Sequence, residues 1–181
     1  MRDDSTKWHP ALGMDRHDID TGGVRISLIH PDRMTLISGP CNAALEWSGI
    51  GTAIGWPEVA SGHSYALRCR RDQILVVNGP DLTDGWHADR GLAVSDMTDG
   101  FGVVDICGGD ALAILCRRTE ISHEEPSRSA NRAFFGYAVM IYAYDAQNHF
   151  RMHVPRQLLD GLWSLLQSFA QQASVVAEMD K

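Results

Sequence analysis

Two stretches of the chain pass through the same order of elements, and that repetition limits the folds open to it. The first runs strand, Ser38–Gly39–Pro40 and a short helix over 34–47, then a hairpin and a helix over 65–88. The second runs strand, Cys107–Gly108–Gly109 and a short helix over 103–117, then a hairpin and a helix over 137–172. Local wording recurs as well: Asp84–Gly85–Trp86 is echoed by Asp160–Gly161–Leu162–Trp163. Strands joined by hairpins are antiparallel, and helices grouped around them give an α+β architecture. The order taken twice predicts two intertwined, pseudo-repeated ferredoxin-like units with antiparallel sheets.

Hydrophobic spacing fills in the pieces. Tyr65, Leu67 and Cys69 alternate with Arg68 and Arg70, the signature of a half-buried strand, while 74–77 is apolar throughout and reads as central. Asn78–Gly79–Pro80 stops that strand, and Pro80 suits the first turn of a helix leading to Trp86. Residues 48–63, rich in Gly, Pro and Ser, read as a long loop. Asp96–Gly100 interrupts the apolar pattern where a chain reversal belongs, and Asp110 suits the N-cap of the helix that follows the next strand. Ala133–Tyr144 reads as one apolar strand, with 145–148 as turn. In the returning strand Phe150, Met152 and Val154 face one way and Arg151 and His153 the other. His149 and His153 are accordingly expected on its solvent side rather than as metal ligands. After Pro155, Leu158, Leu159, Leu162, Leu165, Leu166 and Phe169 form one helical stripe. Residues 1–22 form a polar N-terminal arm, leaving 23–181 as a single domain.

The chain carries a net charge of −7 with its basic residues scattered. Nucleic acid and anionic membrane both call for clustered Lys and Arg, so neither is an expected partner. No run approaches the ~18 apolar residues of a membrane span. The polar, acidic start is unlike a secretory signal, which places the chain in the cytoplasm. The four cysteines never reach C-x-x-C spacing and read as buried free thiols, with no metal site. No GxxxxGK, and no GxGxxG after a strand, is present to cradle phosphates, so no cofactor is expected on this chain alone. Asp96 with Asp99 reads as turn chemistry before paired-carboxylate catalysis. His87 among Asp81, Asp84 and Asp89 reads as a solvated helix face before a His–Asp dyad. Trp47, Trp56, Trp86 and Trp163 read as core, although Trp56 in its loop also suits an interface anchor. No catalytic residue emerges. The candidate partner contacts are Trp56, Arg68, Arg70, His123, Glu124, Arg128 and Arg132.

Four pieces carry a resemblance: ILVVNGPD (74–81), AVSDMTDG (93–100), the G-x-D-A-x-x-I-L helix, and FRMHVPRQLLDGLWSLLQSFA (150–170). In order and spacing they resemble the gamma subunit family of sarcosine oxidase, a fold relative of the glycine-cleavage T-protein (aminomethyltransferase). The likeness runs from roughly Gly23 to Gln171, with Pro155–Arg156–Gln157 where that family often carries Arg–Ser. It implies an aminomethyltransferase folate-binding-domain-like fold. It also implies a place beside flavin-containing alpha- and beta-type subunits of a complex that oxidises and demethylates an N-methyl amine such as sarcosine. The T-protein places an acidic pair at the start of the strand matching 137–142, where this chain has Tyr137–Ala138. The resemblance therefore implies a cleft without an ionisable group, and a non-catalytic subunit acting in assembly, with flavin and tetrahydrofolate held by the partners. The alternative is a stand-alone tetrahydrofolate-binding or aminomethyltransferase-like protein.

Overall fold

A computed structural model describes residues 18–116 and 128–179, with side chains described as far as residue 170. The N-terminal arm to residue 17 lies outside the described residues, as do His123 and Glu124. The elements are, in chain order, β1 (Ile19–Asp20), β2 (Arg25–Ile29), β3 (Met34–Ser38), α1 (Cys41–Ser48), β4 (Ala53–Ile54), β5 (Val59–Ala60), β6 (Tyr65–Arg70) and β7 (Gln73–Val77). There follow β8 (Gly85–His87), β9 (Leu92–Asp96), β10 (Phe101–Cys107), α2 (Ala111–Cys116), β11 (Asn131–Phe134), β12 (Tyr137–Tyr144) and β13 (Ala146–Pro155). A single 3-10 turn, Arg156–Leu158, leads into α3 (Leu159–Met179).

The result is a mixed α+β fold dominated by antiparallel pairing. A seven-stranded sheet has the order β1-β2-β10-β13-β12-β11, with β5 alongside β12, and a six-stranded sheet has the order β4-β6-β7-β3-β9-β8. The alternation along β13 explains the layering. Phe150, Met152 and Val154 point to the face covered by α2 and α3, where Leu162, Trp163 and Leu166 of the stripe meet them. The opposite face of the same strand turns toward the second sheet, and Val103, Met140 and Tyr142 pack there on Met34, Leu67 and Leu75. The six-stranded sheet is closed behind by α1 through Ile37, Ile74, Val76 and Ala44. Four layers therefore stack as helices, sheet, sheet, helix.

Several elements differ from their reading in the sequence. Residues 80–88 form a loop and the edge strand β8 rather than a helix: Gly85 takes φ +121°, outside the helical range, and Asp84 Oδ1 accepts from Asp96 N at 2.8 Å, tying the segment to β9. The stretch 133–144 is two strands, because Phe135 (φ 52°) and Gly136 (φ 80°) make a two-residue reversal between Phe134 and its partner Tyr137. Phe135 holds this left-handed conformation with its ring stacked on Phe169 at 4.8 Å. After β12 the reversal is tighter than four residues, Asp145 alone taking φ 57° before β13 begins. The 48–63 loop contains the short strands β4 and β5. The Asp110 carboxylate lies against Gly23, and α2 opens on a backbone bond from Ile114 N to Asp110 O.

Candidate functional site

Where the sheets part at one end, a cleft of about 310 Å³ opens between the β2–β3 connection, the end of β7 and the inner face of β12–β13. His30, Asp32, His63, Asn78, Tyr144 and Arg151 line it. Asn78 builds the roof. At φ 50° its backbone is left-handed, a conformation Asn tolerates better than most residues. Its Oδ1 accepts from Arg33 N at 3.2 Å and its Nδ2 donates to His63 O at 3.2 Å, which binds two loops to the strand end.

Arg151, which lines the cleft from β13, is held by facing residues on β10 and β13. Asp105 is the cross-strand partner of Arg151, and Cys107 that of His149. The Asp105 carboxylate accepts from Arg151 Nε at 3.0 Å and meets His149 Nε2 at 2.8 Å from each oxygen. Arg151 also lies over the Tyr144 ring, 3.2 Å from its centroid, where the guanidinium meets the negative face of the π-system. Burial works against the Arg151 charge, but hydrogen bonds to Tyr65 and Asp105 outweigh it and raise its pKa above the ordinary arginine value.

From Arg151 a chain of bonds runs into the core. Arg151 Nη1 reaches Tyr65 Oη at 3.2 Å, Tyr65 Oη meets Tyr142 Oη at 2.7 Å, and Tyr142 Oη meets His153 Nε2 at 2.8 Å. A guanidinium only donates. The arrangement that leaves no hydroxyl proton idle therefore has Tyr65 donating to Tyr142 and Tyr142 donating to His153 Nε2. The His153 proton then sits on Nδ1, which is buried without a partner. Burial first, and the Arg151 charge second, push His153 down to about 3, while burial raises both tyrosines above the usual phenol value. These groups are fixed in one protonation state at neutral pH. They hold charge in place and do not trade protons.

The sequence-derived candidates scatter over the fold. Trp56 is 1% exposed and stacks on Phe150 at 5.9 Å, so it is a core residue and not a surface anchor. Trp86, read as core, is 67% exposed on β8. Arg68 and Arg70 end β6, and Arg128 is exposed before β11. Arg132 Nη1 is bound to the carbonyls of Ser129 and Asn131 at 3.0 and 2.6 Å, and burial lowers its pKa. Asp96 accepts from Thr98 N and Oγ1 at 2.8 and 2.6 Å as a turn-forming side chain. His87 is bound to the Thr83 carbonyl at 2.7 Å. His153, expected on the solvent side, is fully buried because that side of β13 is the inter-sheet face. Tyr137 lies at the far end of β12 from Tyr144, its hydroxyl against Gly161 of α3, and so outside the Arg151 cleft, which holds ionisable side chains of its own, Arg151 and Asp32 among them. Among the described residues no His, Cys, Asp and Glu side chains converge to hold a metal ion, and no helix is long and apolar enough to cross a membrane.

Sequence reasoning missed Asp105, His149 and Tyr142. The signal was present in part: a lone Asp inside an otherwise apolar strand, and Arg151 on the face opposite to Phe150. No family model and no curated protein matches the sequence. Among solved structures, the chain is similar to one from heterotetrameric sarcosine oxidase of Corynebacterium sp. U-96, solved in complex with pyrrole 2-carboxylate. The two are 13% identical, with a TM-score of 0.64 over 83% of this chain and 85% of that one. The likeness is one of fold.

Proposed function

We propose that this chain is a non-catalytic, gamma-type subunit of a flavin-dependent, sarcosine oxidase-like complex that oxidises and demethylates N-methyl amines in the cytoplasm. In this reading it acts in assembly beside flavin-bearing alpha- and beta-type partners, which also hold tetrahydrofolate. The observation that carries the proposal is the fold likeness, which spans most of both chains and reaches a protein built from several subunits. Strand order supports the finer reading of two pseudo-repeated ferredoxin-like units: β6-β7-β3-β9 in one sheet parallels β12-β13-β10-β2 in the other. Burial supports the non-catalytic part: Tyr65, Tyr142 and His153 are hydrogen-bonded to one another between the sheets, closed to a substrate. Co-expression of the chain with the products of its neighbouring genes, followed by gel filtration, tests the reading. Flavin absorbance should elute with the chain in one peak. Elution of the chain alone, as a monomer, overturns it.

The cleft itself favours a second reading, a stand-alone tetrahydrofolate-binding or aminomethyltransferase-like protein. Its 310 Å³ and the Tyr144–Arg151 stack suit a flat ligand with a carboxylate. Tetrahydrofolate at a hundred times its Kd would then stabilise the isolated chain by about 2.7 kcal/mol. An unchanged Tm at millimolar ligand disposes of this alternative.

A further inference from the structure

We propose that one row of residues across the end of the six-stranded sheet, Arg70–Gln73–Ser38–Ala93–Trp86, is the surface on which a partner protein docks, meeting its arginine end with carboxylates. This rests on the subunit reading above and deepens it. The row is set by pairing register: Arg70, past a register shift that skips Cys69, lies opposite Gln73, Gln73 opposite Ser38, Ser38 opposite Ala93, and Ala93 opposite Trp86. Side chains two residues apart on a strand share a face. Gln73 and Ser38 therefore point the same way as Leu75 and Leu36, which pack against the other sheet. The row lies one pleat beyond that contact, and its two ends, Arg70 and Trp86, are exposed.

Each end has its own chemistry. Trp86 is 67% exposed on a three-residue strand that pairs only with β9, so an apolar knob stands beside an open sheet edge. A tryptophan left in water in this way is the residue type that most often anchors an interface. At the other end, Ala130 N bonds Arg68 O and Ser129 Oγ bonds Cys69 O, both at 2.8 Å, which brings Arg128 to the end of β6 beside Arg68, Arg70 and Arg71. Arginines more than fifty residues apart in sequence thus stand at one end of β6, on a chain of net charge −7. Among the described residues no carboxylate forms an ion pair with these four arginines. Asp84, Asp89 and Asp96 are exposed around the Trp86 end. A nucleic-acid backbone, uniformly negative, would be repelled there. A protein surface with carboxylates at one end and an apolar pocket at the other fits both. At a strand spacing of roughly 4.8 Å the row spans about 19 Å, the length of some six extended residues.

The test uses the full chain co-expressed with its neighbouring gene products, comparing wild type with Arg70→Glu/Arg128→Glu, with Trp86→Ser, and with Gln157→Glu, which lies on the 3-10 turn before α3. Circular dichroism and Tm confirm folding of each. The double reversal and Trp86→Ser should each weaken the complex at least tenfold, with Gln157→Glu unchanged, and added salt should weaken the wild-type complex more than that of the double reversal. A complex of unaltered affinity in both variants overturns the docking row while leaving the subunit reading intact. No complex with the wild-type chain overturns both. Binding of a single-stranded RNA oligonucleotide by the isolated chain, lost on Arg70→Glu/Arg128→Glu, overturns the choice of a protein partner.

Discussion

His153 shows how a single buried residue couples this fold to pH. Its ring is fully enclosed between the sheets, accepts from Tyr142 and leaves Nδ1 without a partner, so a second proton has no solvation to receive it. In the unfolded chain an imidazole titrates near its ordinary value of about 6.5; in the fold burial pushes it down to about 3. As pH falls, the unfolded state binds the proton first. The His153 contribution to stability is therefore complete above the unfolded value and drains away as pH drops from there toward the folded one. Between pH 6.5 and 4.5 the loss should reach about 2–3 kcal/mol. Urea unfolding over this range should show a steeper decline for wild type than for His153→Leu, which is less stable at neutral pH but cannot take up that proton. Equal slopes would contradict the argument. The residue scale is also where sequence reading failed most. Alternation placed Arg151 and His153 on the face opposite Phe150, correctly. It could not tell water from a second sheet on that face, and a buried polar network is legible only once both sheets are in place.

Elements were more legible than residues, because their signals are local. The Leu stripe of α3, the alternation of β6 and the glycine stops before α1 and α2 each depend on neighbours within a few positions. The expected helix at 80–88 failed because Pro80 suits a first turn anywhere, while the pairing of Trp86 with Ala93 is a tertiary fact. The two glycine stops do share a physical cause. Gly39 (φ +134°) and Gly108 (φ +126°) turn a strand into a helix with backbone that side chains rarely adopt, and both abut another strand's approach. A methyl on Gly39 would meet Gly91 O at 2.6 Å, and one on Gly108 would meet Gly23 O. Gly62 (φ +77°) faces open space instead. Alanine should thus cost about 2 kcal/mol or more at Gly39 and at Gly108, where strain and clash add, but only about 1 kcal/mol at Gly62, where strain acts alone. Urea midpoints of the three variants measure this, and equal losses would remove the clash from the account.

At the scale of the whole molecule, the path of the chain decides how it can come apart. The six-stranded sheet and α1 are drawn from one continuous stretch, 34–96, which lends β5 to the seven-stranded sheet; the other six strands of that sheet, β1, β2 and β10–β13, come from either side of the stretch. The pairing of β2 with β10 thus closes a long loop around the second sheet, and no local pattern announces it. Such an arrangement admits two outcomes: the inserted layer unfolds on its own, or the core between the sheets binds both into one unit. The core argues for the second. Met34, Leu67, Leu75 and Val77 from one sheet are buried in one cluster with Val103, Met140 and Tyr142 from the other, and the Tyr65–Tyr142 bond crosses the same interface. Exposing either layer alone would open several large side chains at roughly 1.5–3 kcal/mol each and strand buried hydroxyls besides. Unfolding should therefore be two-state. Variants retaining only Trp47, on α1, or only Trp163, on α3, place a fluorophore in each outer layer. Their urea transitions should coincide with each other and with the loss of far-ultraviolet ellipticity. If Trp47 reports an earlier midpoint than Trp163, the inter-sheet core does not couple the layers, and the two sheets behave as separate folding units.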